Sequence, residues 1–303
     1  MDRYAVARSP GHISGYFRRV PGETAQETGS IGAGIVIEEG VTVRAVPSPS
    51  PVVKIQSPVP LPGDAGILSR GSPSSPGRSR LPAGAGLPLI ETAMERLGVS
   101  AMVTAVSTLP AGAGFGLSAA ALLSSISALS VLFRLDLPDR EIAALAHEIE
   151  VAHRTGLGDV AACQGGGIEC RKGPGIGGEI DRISVPGGIV LAVSFGPIPT
   201  PLVLGDPVRM ERIARAFPGR CPRDPEDLLG LSRSFAEESG LITPRVRDVL
   251  SACDRAGVRA SMTMLGEGVF ALGEEAAPVL SPFGKVYRLR IAERGFTRGE
   301  VAG

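Results

Sequence analysis

A glycine-rich loop leads directly into a helix of small residues near the middle of the chain. From Pro110 to Ala119 the sequence reads PAGAGFGLSA, with glycine at positions 112, 114 and 116 and serine at position 118. Glycine has no Cβ, so the backbone can take positive φ there and bring its N–H groups close to a bulky anion. The N-terminus of the next helix adds free N–H groups and the positive end of the helix dipole. The segment therefore predicts a site for the phosphates of a nucleotide.

Carboxylates that could act on such a phosphate follow the loop. On a helix predicted at 139–154, Glu148 and Glu150 lie two positions apart and point to opposite flanks at about 100° per residue, so at most one can face the site. Asp159 lies between glycines in TGLGDVAACQGGG, where a tight turn would fix the direction of its carboxylate. With an ordinary pKa near ~4 it is a weak base for an alcohol, but orientation and late proton acceptance suffice for a loose phosphoryl-transfer transition state. The alternative for Asp159 is a turn-capping role.

Several interpretations of the loop compete. The sequence contains no G-x-x-x-x-G-K-[ST] pattern, which excludes a Walker P-loop. Residues 114–119, GFGLSA, fit the G-x-G-x-x-A pattern of a nicotinamide-binding fold, with Asp136 about 20 residues further on, but no second βαβ half surrounds them. Close helix packing alone would also explain glycine and alanine. The remaining interpretation is a kinase loop in which Ser118 gives its hydroxyl to Mg²⁺ while the loop amides hold phosphates.

Three segments resemble the motifs of one kinase superfamily. PAGAGFGLSAA, residues 110–120, resembles the P-x-x-x-G-[LF]-[GS]-S-[SA]-A loop of the GHMP kinases, which include homoserine, galactose, mevalonate and phosphomevalonate kinases. SPGHISGYF, residues 9–17, resembles their first motif, and SMTMLGEGVFAL, residues 261–272, their C-terminal glycine loop. Together with GSIGAG and RTGLGDVAACQGGG, the set most resembles an archaeal branch that phosphorylates a small hydroxy acid on the route to coenzyme A. Homoserine, mevalonate and shikimate remain alternative acceptors.

The resemblance implies roles for individual residues. It implies that Asp159 is the catalytic residue beside the attacking hydroxyl and that Ser118 and Glu150 are ligands of Mg²⁺. It also implies that ATP is held by the loop residues Pro110, Gly112, Ala113, Gly114, Phe115, Gly116, Leu117, Ser118 and Ala119.

Residues that bind the phosphoryl acceptor are expected near the start of the chain. Pro10 and Gly11 predict a sharp turn with His12 at its tip. Many relatives have lysine at this point of the first motif, so a lysine-assisted mechanism is not expected and His12 is predicted to contact the substrate. Ser14, in the same motif, and Ser30, in the GSIGAG cluster, are predicted to contact it as well.

A carboxylate on the acceptor calls for an arginine, because the guanidinium group binds carboxylates in a bidentate fashion. Arg171, just after GGGIEC, is the first choice, and Arg154 and Arg182 are the alternatives.

The remaining histidines and the cysteines are interpreted as structural. His153 lies on the apolar face of the 139–154 helix and is predicted to be in the core, whereas His147 on the far side is predicted to be solvated. The four cysteines, at 163, 170, 221 and 253, form no C-x-x-C pair. With no signal-like N-terminus they are predicted to be reduced thiols of a cytoplasmic protein, without structural zinc.

Composition bounds the size and the partners. A chain of 303 residues, 43% of them hydrophobic, favours two domains, which we place at 1–194 for the phosphate loop and 195–303 for closure over the substrate. Lys plus Arg and Asp plus Glu both number 31, which argues against nucleic acid or an anionic membrane as partner and favours a small-molecule substrate. A homodimer is an open alternative.

The pattern of elements is that of an α+β protein. A helix at 88–97, a hairpin with its turn at Glu39-Gly40, and helices at 207–217, 225–238 and 245–256 are predicted, with a long excursion between 47 and 86. By resemblance the N-terminal domain is ribosomal-protein-S5-like and the C-terminal domain ferredoxin-like.

Overall fold

The computed structural model of the chain describes residues 3–57, 87–198, 203 and 205–302. In chain order the described elements are β1 (Tyr4–Val20), β2 (Gly29–Pro47), β3 (Val52–Gln56), α1 (Leu87–Leu97), β4 (Ala101–Val106), α2 (Leu117–Leu132), α3 (Asp139–His153), α4 (Asp159–Ala162), β5 (Ile168–Arg171), β6 (Ile180–Ile183), β7 (Ile189–Pro197), α5 (Pro207–Ala216), α6 (Pro225–Ser239), α7 (Pro244–Arg255), β8 (Ala260–Met262), β9 (Gly266–Leu272), α8 (Ala277–Leu280), β10 (Tyr287–Arg290) and β11 (Glu300–Ala302). Most of the predicted excursion, from 58 to 86, lies outside the described residues.

The first sheet has seven strands and carries the helices that surround the glycine loop. Its order is β11-β1-β2-β4-β3, and β5 and β6 extend it from β2. Among the described strands, β3 and β4 form a parallel pair and the other pairs are antiparallel. This sheet is not a doubly wound parallel sheet, so the nicotinamide interpretation of GFGLSA is wrong.

β1 and β2 are long continuous strands, which corrects two predicted turns. Ser9 pairs with Val41 and Gly11 with Ile37, so Pro10 alone faces residues 38–40 in a bulge. Proline is tolerated there because its missing N–H is not needed at a bulge. A Cβ on Gly40 would lie 2.1 Å from the Ser9 carbonyl oxygen, so the close approach of the two strands requires glycine. The turn at Pro10-Gly11 and the hairpin at Glu39-Gly40 are therefore both absent, and His12 lies inside β1.

Helix α2 lies under the loop and packs against β1 and β2, with α1 and α3 beside it. Every residue from Ala119 to Ser130 is buried. Small side chains let neighbouring backbones approach, and the buried hydroxyl of Ser124 is satisfied because it donates to the Ala120 carbonyl at 2.6 Å. Helix α1 follows its prediction, and Gly98, with φ 66°, comes directly after its last residue. No helix among the described residues is both long enough and apolar enough to cross a bilayer.

The second sheet has four strands in the order β10-β7-β9-β8. Helices α5, α6 and α7 confirm the three predicted helices, and each begins at a proline behind a capping side chain, namely Asp206, Asp224 and Thr243. The boundary expected after residue 194 lies inside β7, which pairs with β9 from Val190 to Pro197. After β10 the chain returns to the first sheet, where β11 pairs with β1.

A disulfide joins the two parts of the molecule. Cys170, in β5, is bonded to Cys221, in the segment before α6, with the two Cα atoms 5.7 Å apart. The expectation that all four cysteines are reduced is therefore wrong for this pair, while Cys163 and Cys253 are free and buried. The sequence held no sign of the pairing, because the partners are 51 residues apart and meet only through tertiary packing.

Candidate active site

A cavity of about 460 Å³ lies where the glycine loop meets both sheets. Its wall includes the loop residues 111, 112 and 114–118, together with Asp159, Arg171 and the side chains of Pro197 and Leu265. The cavity therefore brings together the predicted phosphate loop, the predicted catalytic carboxylate and the first-choice arginine.

The loop needs its three glycines for both conformation and space. Gly112, Gly114 and Gly116 have φ of 75°, 82° and 62°, in the left-handed region that side chains rarely adopt. A Cβ on Gly114 would lie 2.9 Å from the Met264 carbonyl oxygen, and a Cβ on Gly116 would lie 3.0 Å from the Cβ of His12. The loop is thus wedged between the first and the third motif of the sequence.

Two hydrogen bonds hold the loop in this position. The backbone N–H of His12 donates to the Phe115 carbonyl at 2.9 Å, and the Thr263 hydroxyl donates to the Ala113 carbonyl at 3.3 Å. Gly116 is the N-cap of α2, without a side-chain hydrogen bond to the first turn, and that turn holds no acidic residue. The N–H groups at the start of α2 are consequently available to an anion at the cavity wall.

Ser118 and Glu150 form a pair beside the loop. The Ser118 hydroxyl donates to Glu150 Oε1 at 2.8 Å, and the fully buried Oε2 has no partner among the described residues. Burial, and next the charge of Asp159, raise the pKa of Glu150 to about 8, although the Ser118 hydrogen bond opposes the shift. As predicted, only one of the two helix glutamates faces the site, because Glu148 instead accepts hydrogen bonds from Arg96 and Gln26.

This pair suits a hard divalent cation. An unpartnered buried carboxylate oxygen is costly, and a cation would stabilise the charged form of Glu150. The described residues contain no group of three or more His, Cys, Asp or Glu side chains that could hold a metal. Mg²⁺ is commonly bound by one or two protein oxygens, with waters and substrate phosphates completing its shell.

Four buried or half-buried acidic and basic side chains lie in a row at the cavity, and we call them the charge row: Asp159, His12, Glu169 and Arg171. Asp159, His12 and Arg171 line the cavity, and Glu169 contacts His12 and Arg171. The ring nitrogens of His12 lie 2.7 Å from Asp159 Oδ1 and 2.9 Å from Glu169 Oε1. Arg171 Nη1 donates to the same Glu169 Oε1. The Ser14 hydroxyl donates to Asp159 Oδ1 at 3.4 Å. His12, Glu169 and Arg171 are almost completely buried, whereas the Asp159 side chain keeps 25% of its surface exposed.

The pKa values of His12, Asp159 and Glu169 are shifted towards the charged forms of these groups. Burial alone would lower the pKa of His12, but the hydrogen bonds and charges of Asp159 and Glu169 outweigh burial and raise it above 6.5. Burial would raise the pKa of Asp159, yet His12 holds it below its ordinary value. Burial would likewise raise the pKa of Glu169, but Arg171 first and His12 next hold it low. Each of these three shifts favours the charged form of its group.

Asp159 begins a short helix, α4, rather than lying on the tight turn that the glycines suggested. Arg182 holds this helix, because its guanidinium donates to the carbonyls of Ala162 at 2.9 Å and Gly166 at 3.0 Å. Arg182 is thus engaged with backbone, and Arg154 is exposed.

Arg171 and Ser30 lie together at the cavity. A Cβ on Gly158 would lie 2.5 Å from Ser30 Oγ and 2.7 Å from Arg171 Nε, so glycine leaves room for both side chains. Arg171 Nε is buried and has no partner among the described residues. An unpaired buried donor of this kind suits an anionic ligand.

Glu169 was not predicted from the sequence, and the predicted burial of the two helix histidines is reversed: His147 is more buried than His153. Glu169 and Arg171 alternate in β5, so a period of two would have placed both side chains on the face that carries Arg171. His147 is buried and donates through Nε2 to the Thr28 carbonyl at 2.8 Å, so its predicted exposure is wrong. His153 is only half-buried and meets the Thr92 hydroxyl at 3.0 Å. The cause is the loop before β2, which covers the flank of α3 that the helical pattern left to solvent.

The α+β fold, the glycine loop at a helix N-terminus and the Ser118–Glu150 pair define a phosphotransferase of the GHMP kinase type, and the chain belongs to the GHMP kinases. The model "GHMP kinases N terminal domain" matches residues 88–167 and "GHMP kinases C terminal" matches residues 213–288. The chain is 43% identical to the pantoate kinase of Methanospirillum hungatei over 96% of this chain and 94% of that protein. It is 32% identical to the pantoate kinase of Thermococcus kodakarensis over 92% of each. A solved structure described as a phosphotransferase related to the CoA biosynthesis pathway has a TM-score of 0.75 and 28% identity, covering 99% of this chain and 98% of the other.

Proposed function

We propose that this protein transfers the γ-phosphoryl group of ATP to a hydroxyl of pantoate and forms 4-phosphopantoate, a step towards coenzyme A. The observation that carries the proposal is that one cavity is lined by a phosphate loop, by Asp159 and by the buried Arg171. Pantoate offers a carboxylate for the arginine and a hydroxyl for the phosphoryl group, and the two pantoate kinases that match nearly the whole chain support this acceptor.

ATP binding rests on the loop from Pro110 to Ala119. Its backbone N–H groups and the N-terminus of α2 supply donors for the phosphate oxygens. Ser118 and Glu150 would hold Mg²⁺, which neutralises the charge that develops on the phosphate oxygens.

Asp159 is proposed as the catalytic residue. The acceptor hydroxyl oxygen bonds to the γ-phosphorus, the bond to the bridging oxygen breaks with release of ADP, and the hydroxyl proton passes to the Asp159 carboxylate. His12 holds the pKa of Asp159 low, so the carboxylate orients the hydroxyl and accepts its proton late in a loose transition state.

Arg171 and Ser30 are proposed to bind the acceptor carboxylate, and Ser14 lies close enough to Asp159 to contact the acceptor hydroxyl. The predicted role of His12 is revised. Both of its ring nitrogens already face carboxylates, so we propose that His12 orients Asp159 and lines the cavity without binding a substrate oxygen.

The acceptor is tested by measuring ADP release with pantoate, homoserine, mevalonate and shikimate at equal concentrations. We expect turnover with pantoate to exceed that with the other three acids, and absence of pantoate turnover would overturn the assignment. Asp159→Ala and Ser118→Ala should each lower kcat by about 10²-fold or more while the protein stays folded. Asp248→Ala, which changes an exposed aspartate of α7, is the matched control and should retain full activity. Wild-type turnover in both Asp159→Ala and Ser118→Ala would contradict the proposed mechanism.

A further inference from the structure

Glu169 is a fully buried carboxylate that no step of the proposed mechanism uses. It lies in β5, its side chain has no exposed surface, and its Oε2 has no partner among the described residues. Its Oε1 serves both His12 and Arg171. A buried charge of this kind is costly unless it is paired, so its two cationic neighbours are needed for it to remain ionised.

The positions of the two carboxylates around His12 bear on how many protons its ring carries. One ring nitrogen faces the Asp159 carboxylate and the other faces the Glu169 carboxylate, and an ionised carboxylate only accepts hydrogen bonds. When both carboxylates are ionised, both ring nitrogens donate, and the ring is an imidazolium cation. A neutral ring would leave one nitrogen lone pair facing a carboxylate oxygen.

We propose that Glu169 is a positioning residue for phosphoryl transfer: one carboxylate holds the His12 imidazolium against the catalytic Asp159 and holds Arg171 towards the acceptor carboxylate. The proposal rests on the proposed function for the roles of Asp159 and Arg171. It couples two parts of the acceptor site, because both cations that meet the acceptor region are fixed on a single oxygen.

Other charged or titratable groups also face the charge row. They are Glu150 on α3, on which the charge of Asp159 acts, Arg182 on β6, which acts on Glu169, Cys163 after α4, and Tyr16 on β1. None of them is hydrogen-bonded to His12 Nε2, whose partner among the described residues is Glu169 Oε1. Removal of the Glu169 charge alone should therefore lower the pKa of His12 and favour the neutral ring.

The first test is the variant Glu169→Gln, which keeps shape and removes charge. We expect kcat to fall about 10- to 100-fold and the KM for pantoate to rise about tenfold, because the base and the arginine both lose their fixed orientation. The KM for ATP should stay unchanged, since the side-chain hydrogen bonds of Glu169 among the described residues go to His12 and Arg171 and not to the loop from 112 to 118. The acid limb of kcat should move to higher pH, because Asp159 loses its cationic neighbour. Glu169→Asp should recover part of the loss, and Glu148→Gln is the control at a glutamate that contacts Arg96 instead.

Unchanged kcat and pantoate KM in Glu169→Gln would overturn the proposal. An equal rise in the KM for ATP and for pantoate would do so too, because it would assign Glu169 a structural role only.

The second test needs no substrate, and its measurement is made on the wild-type protein. The chain has three histidines, so ¹⁵N-histidine labelling gives few signals, and His12→Gln identifies those of His12. We expect both His12 nitrogens of the wild-type protein to be protonated at pH 7.5, and a neutral ring would contradict the proposal. If His12 is an imidazolium but the protein does not phosphorylate pantoate, the proposed acceptor is wrong, whereas the proposed arrangement of the charge row stands.

Discussion

His12 and His147 are both buried, yet their surroundings shift their pKa values in opposite directions. The two carboxylates of the charge row raise the pKa of His12, whereas burial lowers that of His147 and the hydrogen bond to Thr28 only partly offsets it. The two residues therefore make opposite contributions to the pH dependence of stability.

We predict that the stability that His12 adds is fully present below pH 6.5 and is lost as pH rises through its raised pKa. The free energy of unfolding of the wild type minus that of His12→Gln should fall above pH 6.5, with a slope of at most about 1.4 kcal/mol per pH unit. Urea titrations between pH 5 and 9 measure it.

His147→Gln is the matched control for this prediction. A lowered pKa disfavours the folded state when the ring must be protonated, so here the difference should fall as pH drops below 6.5. Differences that change in the same direction for both variants would contradict the assigned environments.

At the residue scale, residue type and spacing predicted those features of the site that depend on residues close by in the sequence. The loop glycines and Ser118 could be predicted because positive φ and a free helix N-terminus depend on neighbouring residues, and helix geometry correctly separated Glu150 from Glu148. Glu169 could not be assigned from the sequence because its role depends on two partners that other strands bring to it. The same limit applies to the pairing of Cys170.

At the scale of elements, the wedged loop makes a specific prediction for Gly114→Ala. Positive φ should cost about 1–3 kcal/mol of stability, and the new Cβ, 2.9 Å from the Met264 carbonyl oxygen, should displace the loop. We expect the KM for ATP to rise at least about tenfold, because a small misplacement of binding groups is costly.

Gly98→Ala is the matched control, since Gly98 also has positive φ, of 66°, but a Cβ there meets nothing within 4 Å. It should lose similar stability with an unchanged KM for ATP. Stability follows from thermal melts and the KM from ADP release. Equal ATP affinity in the two variants would show that the contact with Met264 is unimportant.

The helices were predictable as elements, whereas the first two strands were not. Capping residues and prolines mark α5, α6 and α7 in the sequence itself. Pro10-Gly11 and Glu39-Gly40 are signals for turns and for bulges alike. Only their pairing across β1 and β2 shows that they meet in one bulge.

At the scale of the whole molecule, the disulfide closes a loop of 51 residues between the two sheets. Loop-closure entropy predicts that Cys221→Ser lowers the free energy of unfolding by up to about 4 kcal/mol. Guanidinium titrations without reductant measure this loss. Dithiothreitol should lower the free energy of unfolding of the wild type to that of the variant and leave that of the variant unchanged. If reductant does not change the free energy of unfolding of the wild type, the disulfide is absent.

The pairing of β11 with β1 has a topological consequence. Tyr4 lies opposite Ala302 at the edge of the first sheet, so the described chain runs nearly as a closed ring. The four-stranded sheet is an insertion within that ring, attached to the first sheet where the chain leaves β6 and where it returns through β11. Strand neighbours would stay the same if the ring were joined at this edge and cut at an exposed turn such as Gly257. The order in which the motifs occur along the chain is therefore separable from the arrangement that brings them to one cavity.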